Sequence, residues 1–375
     1  MLISDIRVLT CDANCELQAT VTSSVSGELM TLWYRFPIDL RPYVTATSGD
    51  VWLAALLLLA MRLGEELTIE APVSPRLKRA VKTIQALYRS WDPSLGEVAV
   101  RAPVVRADVG RGSPSGRMGV FFSLGVDSFY SVLKRTSSLR EPQQKPPGLI
   151  LVHGFDIFVG RANSELFPEV LANARMVARS LDTEVLPVST NLRDLSDYFV
   201  DWGSLYHGAA LASVGLALGG FFRVVLVAAG MVEPYAHEDP WGSSPALDPL
   251  WSTEYLTFVH DGCEASRLDK IRLITRVPVV LKTLRVCWEN PNDEYNCCRC
   301  AKCLRTMICL YVSGTLSRSS TFALPLDPAP LRNFPIGSRN QRALCEEMLR
   351  ALGESAFDLQ IKSALTDALS RSWDE

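Results

Sequence analysis

The sequence predicts an α/β fold whose main body is a doubly wound parallel sheet, preceded by a smaller N-terminal α+β domain. Three observations lead there. From Met118 onward, short apolar runs without a polar face alternate with helical stretches, as strands covered on both sides do. The first of these runs passes directly into a small-residue loop that opens a helix, Val120-Phe121-Phe122-Ser123-Leu124-Gly125-Val126-Asp127-Ser128. Finally, Cys297, Cys298, Cys300 and Cys303 fall within seven residues, a spacing poorly suited to a disulfide framework and well suited to a metal.

Residues 1–112 read as the N-terminal unit. Alternation predicts a strand from Leu29 to Phe36, a helix from about Gly49 to Gly64 and a strand from Leu67 to Glu70. In the next helix, Ser74 to Trp91, Leu77, Val81, Ile84, Leu87 and Tyr88 recur at helical spacing, Ser74 suits the cap and Pro75 the first turn. A Gly, Ser, Pro and Arg-rich segment at 110–117 marks a boundary. The second domain, 118–315, carries predicted strands at Gly119 to Phe122, Gly148 to Val152, Glu184 to Val188 and Arg223 to Ala228. Helices are expected at Ser128 to Arg135, Phe167 to Ser180 and Leu205 to Leu218. A tail, 316–375, begins proline-rich and ends as two amphipathic helices, with Leu344, Met348, Leu349 and Leu352 on one face.

Composition narrows the function classes. The chain has 375 residues, 48% of them hydrophobic, with 38 basic against 41 acidic residues and a formal charge of −3. Such a balance provides no field that would steer the protein to a nucleic acid, so that partner is not indicated. The apolar run Val51 to Met61 is too short to span a bilayer, and Gly208 to Val232 is broken by Gly219, Gly220 and Arg223. With no signal peptide read at the N-terminus, a cytoplasmic protein without a membrane partner is expected.

The loop at Ser123 to Ser128 carries the chemistry. A helix N-terminus offers unpaired N–H groups and partial positive charge, and the hydroxyls of Ser123 and Ser128 add donors, a constellation that suits a pyrophosphate. The bland alternative is an ordinary strand-to-helix turn in which Asp127 or Ser123 caps the helix. The loop lacks a Gly-Lys-Ser/Thr ending and is not Gly-x-Gly-x-x-Gly. It resembles the Ser-Gly-Gly-x-Asp-Ser signature of the PP-loop ATP pyrophosphatases, which cleave ATP between the α and β phosphates and transfer AMP to a substrate. Leu124 stands where that family usually has glycine, and leucine does not easily take a positive φ, so either another loop path or weakened catalysis is expected.

Cys287 followed after nine residues by Cys297, Cys300 and Cys303 supplies four thiolates, the number a closed tetrahedral zinc site requires, and leaves Cys298 as the spare thiol. Soft ligands favour zinc or an iron–sulfur cluster, zinc ahead. Lys302 and Arg305 are placed to offset the charge of such a centre. After the second strand, Asp156 in His153-Gly154-Phe155-Asp156-Ile157 can meet ribose or adenine at the carboxyl end of the sheet, or be a loop cap. The polar and aromatic stretch from Glu233 to Lys270 reads as a substrate lid, in which Arg267 and Lys270 are candidates to neutralise a carboxylate or phosphate, or solvated helix charges. His237-Glu238 is not followed by a second histidine, since Trp241 stands there, and a His-Glu-x-x-His metalloprotease is excluded.

The phosphate loop and the Cys-x(9)-Cys-x-x-Cys-x-x-Cys cluster, in this order, resemble the 7-cyano-7-deazaguanine synthase family of queuosine biosynthesis over roughly residues 118 to 312. The resemblance implies an adenine nucleotide alpha hydrolase-like fold and ATP, Mg2+ and Zn2+ as cofactors. It implies a nucleotide held by Ser123, Leu124, Gly125, Val126, Asp127, Ser128 and Asp156, with Asp127, Ser128, Arg267 and Lys270 catalytic and Cys287, Cys297, Cys300 and Cys303 on zinc. The implied reaction adenylates a small-molecule carboxylate, of a 7-deazapurine or another compound, for attack by ammonia or an amine, and a homodimer is compatible with it. Two rivals remain at this level. One is a PP-loop sulfur transferase using Cys263 or Cys298, and the other is a nucleotide-binding or interaction module without turnover.

Overall fold

A computed structural model describes residues 1–23, 25, 27, 29–104, 116–139, 145–160, 164–238 and 241–371. Most of the expected boundary segment at 110–117 lies outside the described residues. The chain opens with three antiparallel strands, β1 (Leu2–Cys11), β2 (Asn14–Thr22) and β3 (Leu29–Pro37). On β2, Cys15, Leu17, Ala19 and Val21 point inward at period two. Helix α1 (Asp50–Leu63) is buried over nearly its whole length and ends at Gly64, whose φ of 67° makes the left-handed C-cap. After β4 (Leu67–Ile69), α2 (Pro75–Trp91) starts as the sequence predicts: Ser74 Oγ accepts from Leu77 N at 3.1 Å and proline fills the first turn. A short β5 (Val100–Arg101) closes this part.

Strand–helix alternation then runs as expected through β6 (Met118–Phe121), α3 (Val126–Ser137), β7 (Gly148–His153), α4 (Phe167–Ser180) and β8 (Val185–Thr190). It continues through the short α5 (Leu192–Ser196), α6 (His207–Ala217), β9 (Val224–Ala228), α7 (Tyr235–Glu238) and β10 (Thr257–Asp261). Helices α8 (Arg267–Ile274), α9 (Pro278–Thr283) and α10 (Ala301–Val312) follow, then α11 (Arg339–Ala351) and α12 (Ala356–Arg371) as the two tail helices. Among the described residues no helix is long and apolar enough to cross a membrane.

All ten strands form one mixed sheet in the order β10-β9-β6-β7-β8-β3-β2-β1-β4-β5. Strands β6 to β10 are mutually parallel, and the crossovers reverse direction between β6 and β9, so their carboxyl ends share one edge of the molecule. The parallel sheet expected from the sequence is therefore only half of a larger sheet. Strand β3 pairs antiparallel with β8 through Tyr34↔Thr190 and Arg35↔Ser189, which joins the first hundred residues to the α/β part edge to edge.

The junction is also a shared core. On one face, residues from Met1 to Phe258 form a continuous apolar cluster in which α1 lies against α6. Tyr206 Oη donates to Ala55 O at 2.6 Å, and Tyr34 Oη donates to Ser213 Oγ at 2.8 Å inside that core. The opposite face holds α3, α4 and the helices from α8 to α12. Tyr34→Phe removes one buried hydrogen bond between the two halves and is expected to lower stability by about 1–2 kcal/mol. Urea unfolding followed by far-UV circular dichroism and by tryptophan fluorescence checks this. Coincident transitions, both shifted by the substitution, are expected from a shared core, and two separated transitions would contradict it.

Candidate functional site

The loop between β6 and α3 follows a path that the sequence reading did not expect of leucine. Leu124 takes φ 63° and its side chain is fully buried in the core beneath the loop. A left-handed residue other than glycine costs about 1–2 kcal/mol, and burying a leucine returns about 1.5–3 kcal/mol, so the side chain offsets its own backbone strain. The expectation that leucine would divert the loop is thereby corrected. Leu124 O also accepts from Arg285 N at 2.9 Å, which pins the loop from behind.

Gly125 is the N-cap of α3, and no side chain caps the helix, so neither Ser123 nor Asp127 plays the bland role allowed by the sequence. Ser128 Oγ turns inward to Gly125 O at 3.0 Å, while Ser123 is exposed. The first N–H groups of α3, from Val126 to Ser128, carry no intrahelical partner and gather the positive end of the helix dipole at the carboxyl edge of the parallel strands.

Asp127 meets two cations there. Its carboxylate oxygens lie 3.0 Å from Arg267 Nη1 and 3.0 Å from Lys270 Nζ, one turn apart on α8. Lys270 is 2% exposed and also donates to Ala229 O at 2.8 Å, at the end of β9. These two residues are thus paired and largely buried, and the solvated-charge alternative does not hold for them. Burial pushes the Asp127 carboxyl up; Arg267, Lys270 and, behind them, Lys302 outweigh it and hold the group at about 2. Arg305, another residue of α10, is held down at about 10 by burial and by the nearby Arg267, with Asp127 pulling the other way. The charges assigned from sequence to offsetting a metal centre therefore act on the Asp127 cluster. One carboxylate among four cations leaves a surplus of positive charge, which suits a polyanion.

Cys287, Cys297, Cys300 and Cys303 are all buried, with their four sulfurs within 4.8 Å of one another, and can hold a metal such as zinc. Cys297 Sγ and Cys303 Sγ are 3.9 Å apart, against roughly 3.8 Å for the edge of a tetrahedron with 2.3 Å metal–sulfur bonds. Backbone N–H groups aim at the sulfurs: Asn290 N lies 3.4 Å from Cys287 Sγ, Cys300 N lies 3.2 Å from Cys297 Sγ, and Cys303 N lies 3.4 Å from Cys300 Sγ. Such donors stabilise thiolates and fit a metal site. Cys298, the expected spare thiol, has φ 57° and turns away to Asn296 O at 3.4 Å.

This cluster is wired to the loop. Arg285, whose backbone holds Leu124, sends Nη2 to Asn290 Oδ1 at 2.8 Å, and Asn290 Nδ2 reaches Asp156 O at 3.3 Å. Asn296 Oδ1 accepts from Val286 N and Cys287 N at 2.8 and 3.2 Å. Asp156 stands, as expected, in the loop after β7 at the carboxyl edge. Sequence reasoning missed Arg285, Asn290 and Asn296, because a buried arginine and two asparagines between helices have no periodic or motif signal. Only their nearness to Cys287 pointed to them.

A narrow crevice lies beside this cluster, between Gly230-Met231-Val232, Ala265, Arg267 and Lys270, and the tail helix α11 closes it with Asn340 and Leu344. The stretch expected to form a lid does so only at its ends. Residues 241–256 pack down instead, since Leu247, Trp251 and Leu256 are buried and Arg76 of α2 donates to Thr253 O at 3.2 Å and, from its backbone N, to Glu254 at 2.8 Å. Asp239 and Pro240 lie outside the described residues. Comparisons with protein-family models, with curated proteins and with solved structures return no match.

Because the folded value of Asp127 lies below the ordinary 3.8, its stabilising contribution is complete above about pH 4 and is lost as the pH falls toward 2. That contribution amounts to about 2 kcal/mol. Asp127→Asn is expected to flatten the acid limb of the stability profile. At pH 7 it should destabilise by about 3 kcal/mol, since Lys270 is left buried without its anion. Urea unfolding from pH 2.5 to 7 reads both effects, and an unchanged acid limb would dissociate the carboxylate from these cations.

Proposed function

We propose that the chain is an ATP-dependent adenylating enzyme, an AMP-forming carbon–nitrogen ligase of the 7-cyano-7-deazaguanine synthase-like, PP-loop type. The observation that carries this reading is the uncapped start of α3 beside Arg267 and Lys270, an anion cradle at the carboxyl edge of parallel strands. In this reading the pyrophosphate of ATP lies against the N–H groups of Gly125 to Ser128 and the exposed Ser123 hydroxyl. Asp127 keeps the two cations oriented until the phosphates arrive and take over part of their charge. The Asp156 loop lies next along the sheet edge, toward ribose or adenine.

The substrate carboxylate attacks the α-phosphate, pyrophosphate leaves, and ammonia or an amine then displaces AMP from the acyl adenylate. Positioning and charge stabilisation supply the rate, since every bond that changes belongs to ATP, the carboxylate or the amine. Magnesium would neutralise the leaving pyrophosphate, with Asp127 the carboxylate of this cluster available to it or to its water shell. Zinc on the four cysteines would be structural, because four protein ligands leave no open position.

AMP and pyrophosphate release with MgATP, ammonium and a panel of carboxylates including 7-carboxy-7-deazaguanine tests the reading. AMP that appears only with a carboxylate, and falls about 100-fold in Arg267→Ala, is the expected result. ADP in place of AMP would overturn it. Metal analysis of the purified chain is expected to find one zinc per chain, and Cys300→Ser or a strong chelator should lower the melting temperature. A zinc-free chain of unchanged melting temperature would contradict the structural role.

A further inference from the structure

A second constellation sits at the carboxyl end of β10, the edge strand. His260, on β10, has its Nδ1 2.7 Å from Asp248 Oδ2, with side-chain exposures of 5% and 2%. Asp248 comes from a single turn of helix at Asp248–Trp251, packed on β10, and Ser243 Oγ donates to the same carboxylate oxygen at 2.7 Å. This fixes the imidazole and leaves its other nitrogen for Cys263, with which His260 also hydrogen-bonds. Burial works against a charged imidazole here, yet the contacts with Asp248 and Cys263 prevail and raise His260 to about 9. Cys263 follows Gly262, whose φ of 104° turns the chain back over the sheet edge, and its carbonyl accepts from Glu233 N at 3.1 Å.

The thiol borders the Asp127 site. Cys263 groups with Ala229, Ala236 and Met231, on the segment that walls the crevice, and a methyl group placed on Gly262 would lie 3.7 Å from Lys270 Nζ. Facing His260 and Asp248 from the packed elements are His207 of α6 and Tyr88 of α2, both of which feel the Asp248 charge, and Lys270 lies behind Gly262. Burial holds His207 down and Tyr88 up, each toward its neutral form.

We infer that Cys263, His260 and Asp248 form a nucleophilic triad in which the Cys263 sulfur accepts an acyl group activated in the adjoining crevice. The acyl donor rests on the adenylating reading above. His260 takes the thiol proton, the sulfur forms a bond to the acyl carbon, and the bond from that carbon to the phosphate oxygen breaks with its electron pair leaving on AMP. The amine then attacks the thioester, the carbon–sulfur bond breaks, and the proton held by His260 returns to the sulfur. No oxidant or reductant is needed. Asp248 is a positioning residue that holds the ring by Nδ1.

Alkylation of the intact protein by iodoacetamide, resolved by peptide mass spectrometry, tests the triad without needing turnover. Cys11, the exposed cysteine on β1, is the internal reference. At pH 7 Cys263 is expected to react about tenfold faster than Cys11 and to keep its rate down to about pH 6, whereas an ordinary exposed thiol slows about tenfold per pH unit there. His260→Gln should remove that advantage, and Asp248→Asn should shift the pH profile. Either the wild-type profile or the His260→Gln comparison decides the case, so a poorly folding Asp248 variant leaves the test intact. Labelling of Cys263 no faster than Cys11 at every pH, or unchanged by His260→Gln, would overturn the triad. If carboxylate-dependent AMP release fails while the Cys263 profile holds, the adenylating reading falls and the nucleophile stands.

Discussion

The constraint on which the site depends is the gathering of four buried sulfurs from two separate segments, Cys287 on one side and residues 297–303 on the other. Without a common partner, four buried thiols contribute no more than small apolar side chains, and nothing in them fixes direction. Held by one metal, they lock the chain before α10 to the start of that helix. Three consequences follow from the covalent neighbours alone. Arg285 is set against the carbonyl of Leu124, Asn290 against the carbonyl of Asp156, and α10 presents Lys302 and Arg305 toward Asp127. The metal cluster thus works as a clip on three walls of the anion cradle.

Charge in the cradle is balanced by proximity. Lys270, almost without solvent contact, would be neutralised by deprotonation or expelled if Asp127 were absent, because an isolated buried ammonium is far more costly than a paired one. Asp127 therefore stores the cationic site in a stable resting form. An arriving polyanion offers more negative charge than one carboxylate and can draw Arg267, which is less buried than Lys270, away from it. Lys270 also holds the end of β9 through Ala229, so any change in its pairing is felt at the mouth of the crevice.

The fold was legible in the sequence wherever burial is periodic. Helices α2 and α4 and strands β6 to β9 lie within a residue or two of their expected positions, because each has one partner surface and a clear cap or run. The joining of the two halves was not legible. Strand β3 alternates as any half-buried strand does, and nothing in its residues says that β8 is its neighbour; that pairing depends on α1 and α6 meeting across the chain. At the site, the metal ligands and the Asp127 loop could be read because their residues are close in sequence. The pairing of Asp127 with Arg267 and Lys270 spans about 140 residues, and the distances that define it appear only when α3 and α8 lie side by side.

Leu124 shows why a short motif and its physics can disagree. A rule that glycine is required at positive φ treats the backbone alone, and on that basis leucine argues against a working loop. The side chain, however, falls inward from that very φ into the cluster formed by Phe122, Val126 and Phe129, where full burial returns at least as much free energy as the left-handed backbone removes. The residue is also gripped at its carbonyl by Arg285, so the strained conformer is over-determined by packing on one side and a hydrogen bond on the other. Flexibility is what differs from a glycine loop. A glycine there would be free to leave the left-handed region, whereas Leu124 must abandon its core position to do so, and the loop is consequently fixed in one shape before any ligand arrives.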